Sequence, residues 1–75
     1  MTKDYLINWA SNMYDAIMKD YEIGYVLKDD VLKNCINLIE SNIDRIDEIS
    51  EELWYETITN IIDINTFVIR KYFKS

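Results

Sequence analysis

The chain has 75 residues, of which 49% are hydrophobic, and a formal net charge of −6. This length excludes more than one domain, and the apolar content excludes a disordered chain in spite of the acidic balance. The net charge also argues against direct binding to nucleic acid, which depends on basic side chains that neutralise phosphates. One glycine and no proline favour long helices joined by short connections.

Cysteine usage and apolar runs indicate where the protein acts. Cys35 is the only cysteine of the sequence, so no disulfide can form within the chain, as is usual in a reducing compartment. The N-terminal residues have no apolar segment of signal-peptide length, and no apolar run approaches the ~20 residues of a membrane span. The sequence therefore predicts a soluble, cytoplasmic protein with no membrane contact.

A first helix is predicted over residues 3–22, because apolar residues recur there with helical spacing. Thr2 is the expected N-cap, and Gly24 is the expected left-handed stop after the helix. The apolar arc is wider than one neighbouring helix would bury. Its central residues are Leu6, Trp9, Ala10, Met13, Ile17 and Tyr21, with Tyr5 and Tyr14 at its edges.

A second helix is predicted to follow an apolar connection at residues 23–28, whose side chains we expect to fold back on the core. Asp29 or Asp30 is the expected cap of this helix, at its positive end. A seam of isoleucine and leucine with spacings of 4, 3, 4 and 3 then predicts the packed face, beside which Cys35 lies. The seam consists of Leu32, Ile36, Ile39, Ile43 and Ile46.

A break between the second and third helices is predicted at about residues 46–50. An unbroken helix would place Ser50 at the centre of the isoleucine face, whereas a break makes Ser50 an N-cap with Glu51 in the first turn. Ile49 and Trp54 then take the positions of a hydrophobic staple.

The third helix is predicted to begin at about Glu51. Its apolar face has Asn65 at the centre, while Ile64 and Phe67 point away from it. A kink near Asn65, or a fourth short helix over residues 66–73, would relieve this conflict. The residues that share the face are Trp54, Ile58, Ile61, Ile62, Val68, Ile69 and Tyr72. The prediction for residues 1–75 is thus a single all-α domain, a compact bundle of three helices with a fourth as an alternative.

Catalytic and cofactor signatures are absent from the sequence. There is no histidine, no glycine-rich phosphate loop and no nucleophile elbow. The calcium-loop spacing is missing as well, and one cysteine without histidine cannot form a structural zinc site. We therefore expect no enzymatic activity, no cofactor and no specific metal site.

The strongest signal is the acidic segment 40–63. It holds eight of the fourteen acidic residues and one base, Arg45, which gives a formal charge of −7. Carboxylates recur every four residues, or about 6 Å along a helix. The break near Ser50 would turn this row into an acidic corner between two helices. The candidate partner-binding residues are Glu40, Asp44, Asp47, Glu48, Glu51, Glu52 and Glu56, with Tyr55 as an anchor.

The acidic segment predicts a small binding protein for a protein partner with a basic surface. A narrower hypothesis is an inhibitor that docks onto the basic groove of a nucleic-acid-binding protein, as phage proteins do against nucleases or CRISPR effectors. The first alternative is a structural or regulatory subunit that forms a homodimer through apolar packing, since Tyr55, Ile64 and Phe67 offer outward aromatic and apolar surface. The second is a DNA-binding regulator that uses its basic C-terminal turn.

Overall fold

The computed structural model describes residues 1–21 and 25–72, and these residues form an all-α bundle without a strand. The prediction of an all-α fold is therefore confirmed. Within the described part the helices are α1 (Lys3–Met18), α2 (Tyr25–Ser41), a short 3-10 helix (Ile43–Arg45) and α3 (Glu51–Tyr72).

The helices run up, down and up, so that α1 and α3 begin at the same end of the bundle and α2 ends there. Lys3 at the start of α1 forms an ion pair of 2.9 Å with Glu40 at the end of α2. Lys28, early in α2, pairs in the same way with Asp15, late in α1. The bundle measures 40 × 20 × 16 Å, and its length corresponds to α3, which extends about 33 Å at 1.5 Å per residue.

The core is built from three ladders of side chains spaced four residues apart, one from each helix. This spacing keeps successive side chains on one helical face, which the other two helices cover. Partly buried residues, including Trp9 and Ile61, pack around the ladders. The ladders are Leu6, Ala10, Tyr14 and Met18 in α1; Val31, Cys35 and Ile39 in α2; and Trp54, Ile58, Ile62 and Thr66 in α3.

The start of α1 agrees with its prediction, whereas its end does not. The hydroxyl of Thr2 accepts a hydrogen bond from the backbone N–H of Tyr5, so Thr2 is the N-cap. The helix ends at Met18, before the predicted residue 22, and the N–H of Tyr21 donates to the carbonyl of Met18 in a tighter turn. The predicted stop at Gly24 lies outside the described residues.

The predicted start of α2 is wrong, whereas its predicted packed face is correct in part, because Ile39 is buried and Leu32 packs against the core. The helix begins at Tyr25, so Asp29 and Asp30 are exposed residues within it and neither is its cap. The reason is that residues 25–28 continue the helix in place of forming a connection. Leu27 packs against the core as expected, whereas residue 23 and the side chains of residues 25 and 26 lie outside the described part.

The buried face of α2 is rotated from the predicted seam. Val31, Cys35 and Ile39 are buried, so Cys35 lies in the middle of the face and not beside it. Leu32 and Ile36 are only partly buried and flank this ladder. The small Cys35 side chain allows close helix packing, which a seam of leucine and isoleucine would not.

The third helix is continuous to Tyr72, so a separate fourth helix does not occur in the described residues. A kink of this continuous helix near Asn65 stays a prediction. Asn65 is exposed, and Thr66 occupies the buried position that sequence periodicity assigned to Asn65. The hydroxyl of Thr66 donates to the carbonyl of Ile62 at 2.7 Å, which satisfies this polar group inside the core. Val68 and Tyr72 are exposed, contrary to their predicted place on the packed face.

Candidate functional site

The acidic residues gather at the end of the bundle where α1 begins, α2 ends and α3 begins. We call this end the acidic pole. Glu40 lies in the last turn of α2, Asp44 in the 3-10 helix, and Asp47 and Glu48 in the turns that precede α3. The first two turns of α3 carry the remaining candidates, which are Glu51, Glu52, Tyr55 and Glu56.

The pole exists because α2 stops earlier than the sequence suggested, at Ser41 and not near residue 46. The side chains of Ser41 and Asn42 donate hydrogen bonds to the carbonyls of Asn37 and Leu38, respectively, at the end of the helix. Such local bonds offer the backbone an alternative to further helix. Ile43 is consequently exposed in the 3-10 helix, although the sequence placed it on the packed seam.

The chain re-enters the bundle at Ser50, which is the predicted cap of α3. Its hydroxyl accepts a hydrogen bond of 3.1 Å from the N–H of Leu53. Trp54 is buried, and its indole N–H donates to the carbonyl of Ile46 at 3.1 Å. Ile46 and Ile49 pack against the core. The connection of residues 42–50 is thus held by Trp54 at one fixed place on the pole.

Three carboxylates of the pole form ion pairs. Glu40 binds Lys3, Asp47 lies 3.4 Å from the amino group of Met1, and Glu48 lies 3.3 Å from the guanidinium of Arg45. Within the described residues, no ion pair involves the other candidate carboxylates, which are Asp44, Glu51, Glu52 and Glu56. All seven are exposed. The pole therefore keeps a net negative charge that local bases offset only in part.

Tyr55 belongs to an aromatic cluster that joins α1 to α3. Its ring stacks on Trp9 with a centroid distance of 4.4 Å and an angle of 21° between the ring planes. Its hydroxyl contacts the hydroxyl of Tyr5 and the carboxylate of Glu51. The hydrogen bond to Glu51 raises the pKa of Tyr55 above its ordinary value, because ionisation would break this bond and place two anions in contact.

An open groove of about 600 Å³ lies beside this cluster. Met1, Thr2 and Tyr5, at the start of α1, form one wall, and the segment from Ile46 to Glu51 forms the other. The amino group of Met1 pairs with Asp47 at this place. Ile46 and Ile49 contribute apolar surface, while Asp47 and Glu51 contribute carboxylates. An elongated side chain with an apolar stem and a positive head, such as lysine or arginine, matches this combination of surfaces.

The structure brings together only some of the predicted site residues. Asp47 and Glu51 line the groove, whereas Glu52 and Glu56 follow a different face of α3, because successive helical residues are rotated by about 100°. Sequence reasoning missed Tyr5 and Ile46 as groove residues. The signal for Tyr5 was its place at the edge of the apolar arc of α1, three residues after the Thr2 cap.

A second surface lies on the outer side of α3, away from the core. Ile64 and Phe67, predicted to point outward, are 76% and 56% exposed, so this prediction is confirmed. Val68 is 58% exposed on the same side. Tyr72 is 68% exposed at the end of α3, where it follows Trp54 by five helical turns and lies past the buried residues of the core. Leu53, three turns before Ile64, is also half exposed and continues this side toward the acidic pole. These five residues form what we call the α3 stripe.

The described part of the chain has neither a metal-ligand cluster nor a membrane-spanning helix. No three side chains of His, Cys, Asp or Glu are arranged there to hold a metal ion. No helix there combines the length and the apolar character needed to cross a membrane.

Comparison of the chain with protein-family models, with curated proteins and with solved structures gives no match. The case for a function therefore rests on the two surfaces described above.

Proposed function

We propose that the chain is a small, non-enzymatic binding protein whose acidic pole docks onto a basic surface of a partner protein. The observation that carries this proposal is the groove between Tyr5 and the segment 46–51, where the carboxylates of Asp47 and Glu51 lie beside the apolar side chains of Ile46 and Ile49. A carboxylate rim attracts a basic side chain over some distance, and the apolar walls then hold its stem.

The contacts within the pole support docking as a preformed surface. Trp54 fixes the connection through Ile46, and the stacked rings of Trp9 and Tyr55 support the wall of the groove. A surface that is already ordered loses less conformational entropy on binding than a flexible acidic tail would. In this arrangement Tyr55 supports the groove wall and Tyr5 offers the aromatic surface.

The narrower form of the proposal is an inhibitor in the cytoplasm that covers the basic groove of a nucleic-acid-binding protein, such as a nuclease or a CRISPR effector. The pole concentrates its charge in one corner and does not imitate a long duplex backbone. Such a corner suits a local cluster of lysine and arginine side chains. Competition between this chain and a short DNA duplex for the same partner would support the narrower form.

The test uses affinity capture from a bacterial lysate at two salt concentrations, followed by titration of each purified captured protein. The double variant Asp47→Lys, Glu51→Lys changes the net charge from −6 to −2 at the groove. The control Asp29→Lys, Asp30→Lys makes the same change on the exposed face of α2. Circular dichroism verifies that both variants keep their helical content.

We expect the groove variant to lose roughly tenfold or more in affinity and the control to lose much less. We also expect the wild-type affinity to fall as ionic strength rises to about 0.15 M, because exposed charges are then screened. Equal losses of affinity in the two variants would mean that only the net charge of the chain matters. No loss of affinity in either variant would mean that the pole does not take part in binding. Both results contradict the proposal.

A further inference from the structure

We infer that the α3 stripe is the interface of an antiparallel homodimer, in which α3 of one copy packs along α3 of the other. This inference is independent of the partner of the acidic pole. The stripe presents Ile64, Phe67, Val68 and Tyr72 to solvent over more than two helical turns. Large apolar side chains clustered on one side of a short chain mark an interaction surface more often than isolated ones do.

The charges along α3 identify a second copy as the occupant. The first two turns carry Glu51, Glu52 and Glu56 and no base, whereas the last turn carries Arg70 and Lys71. An antiparallel pair of these helices brings the acidic end of each against the basic end of the other. A parallel pair would instead place like charges together, so the helix is electrostatically complementary to itself in one orientation.

Lys71 is suited to this contact. Its ammonium lies 5.8 Å from the ring centroid of Phe67 and 5.6 Å from that of Tyr72, within the stripe. Within the described residues Lys71 has no carboxylate partner, in contrast to Arg70, which pairs with Asp63. A second copy supplies Glu52 and Glu56 at the matching level of its own α3.

The shape of the surface fits helix packing. A shallow depression of about 510 Å³, lined by Asp63, Ile64, Phe67 and Arg70, runs beside the stripe and can receive apolar side chains of the facing helix. A standard interface covers about 800 Å² per partner, which is roughly a sixth of the 5215 Å² that one copy exposes. An interface of this size would use side chains along the whole 22-residue length of α3.

The first experiment measures the mass of the full chain by sedimentation equilibrium over a roughly hundredfold range of concentration. We expect a monomer–dimer equilibrium that Ile64→Glu shifts to the monomer by roughly tenfold or more in dissociation constant. The matched control Ile43→Glu changes an exposed isoleucine outside the stripe and should leave the equilibrium unchanged. A wild-type monomer at all concentrations, or equal effects of the two variants, overturns the inference.

The second experiment tests the orientation in a Cys35→Ala background. In an antiparallel pair the two ends of the stripe meet, so a mixture of Leu53→Cys and Tyr72→Cys chains should form a disulfide under mild oxidation. Either variant alone should cross-link poorly, because its two thiols would lie at opposite ends of the interface. Efficient cross-linking of each variant with itself and not in the mixture would overturn the antiparallel arrangement.

Discussion

The hydroxyl oxygens of Tyr5 and Tyr55 lie 2.7 Å apart, although fifty residues separate the two in the chain. Tyr55 donates its one hydroxyl proton to the carboxylate of Glu51, so in this contact Tyr5 must be the donor and Tyr55 the acceptor. The resulting chain of hydrogen bonds ties the first turn of α1 to the first two turns of α3. It also fixes the walls of the proposed groove relative to each other.

This arrangement predicts how Tyr55 titrates. Glu51→Gln should lower the pKa of Tyr55 toward its ordinary value near 10, because the anionic acceptor that favours the protonated phenol is lost. The measurement is the ultraviolet absorbance of tyrosinate against pH, with Tyr55→Phe subtracted to isolate one phenol among six tyrosines.

The control is Glu56→Gln. This variant removes the same charge from an exposed residue next to Tyr55 in the chain, and it breaks no hydrogen bond to Tyr55. Because the pKa of folded Tyr55 is raised, the stability it confers is complete below about pH 10 and is lost as pH rises through the folded-state pKa. Equal shifts in Glu51→Gln and Glu56→Gln would show that the specific bond has no such effect.

The caps of α1 and α3 allow a second prediction. Ser50→Ala should lower the free energy of unfolding by about 1 kcal/mol, since the N–H of Leu53 loses its side-chain acceptor at the start of α3. Thr2→Ala removes the corresponding bond to Tyr5 in α1 and should have a similar cost. Urea unfolding followed by circular dichroism measures both effects.

Ser50→Asp is the matched control, because aspartate also accepts a hydrogen bond at an N-cap and suits the positive end of the helix. We expect it to retain most of the wild-type stability. If Ser50→Ala and Ser50→Asp unfolded at the same urea concentration, the side-chain cap would not contribute to stability.

Sequence reasoning succeeded where the signal is local. Thr2 and Ser50 were identified as caps because a cap depends on its own side chain and on the backbone of the next three residues. Ile64 and Phe67 were expected to point outward because their helical phase differs from that of Trp54 and Ile58. The all-α fold follows from the same periodicity.

Sequence reasoning failed where the outcome depends on the neighbouring helices. Thr66 takes the buried position that was assigned to Asn65, and Cys35 lies at the centre of the packed face of α2 and not beside it, because close packing of the helices favours small side chains there. The apolar arc of α1 is wide, so the sequence did not show which part of it is buried most. Tyr14 was predicted at the edge of this arc and is 6% exposed. The contact between Tyr5 and Tyr55 has no sequence signal, since it depends on the packing of two helices.

Trp54 provides a third prediction, about the connection that forms the acidic pole. Trp54→Phe should lower the free energy of unfolding by about 2–4 kcal/mol, because the smaller ring leaves a cavity and the carbonyl of Ile46 loses its donor. Leu53→Ala, at the adjacent exposed residue, should change stability by about 0.5 kcal/mol or less under conditions where the chain is monomeric.

The local consequence of Trp54→Phe is as informative as the global one. Amide hydrogen exchange should accelerate in the connection of residues 42–50 more than in the middle of α1, since Trp54 holds this segment through Ile46. Uniform acceleration throughout the chain would instead indicate that Trp54 contributes only to global stability.

Cys35 allows a fourth prediction, on reactivity. It is a free thiol, 1% exposed, and burial raises its pKa from 9.0 to about 11. At neutral pH this shift alone reduces the thiolate fraction about 100-fold, and only the thiolate reacts with alkylating reagents. Native protein should therefore react with iodoacetamide far more slowly than protein unfolded in urea.

Because the pKa of Cys35 is higher in the folded than in the unfolded chain, the stability that Cys35 confers is present below about pH 9 and is lost as pH rises through about 11. Cys35→Ala should remove this alkaline component of the stability profile, and native labelling as fast as that of the unfolded chain would contradict the buried position of the thiol.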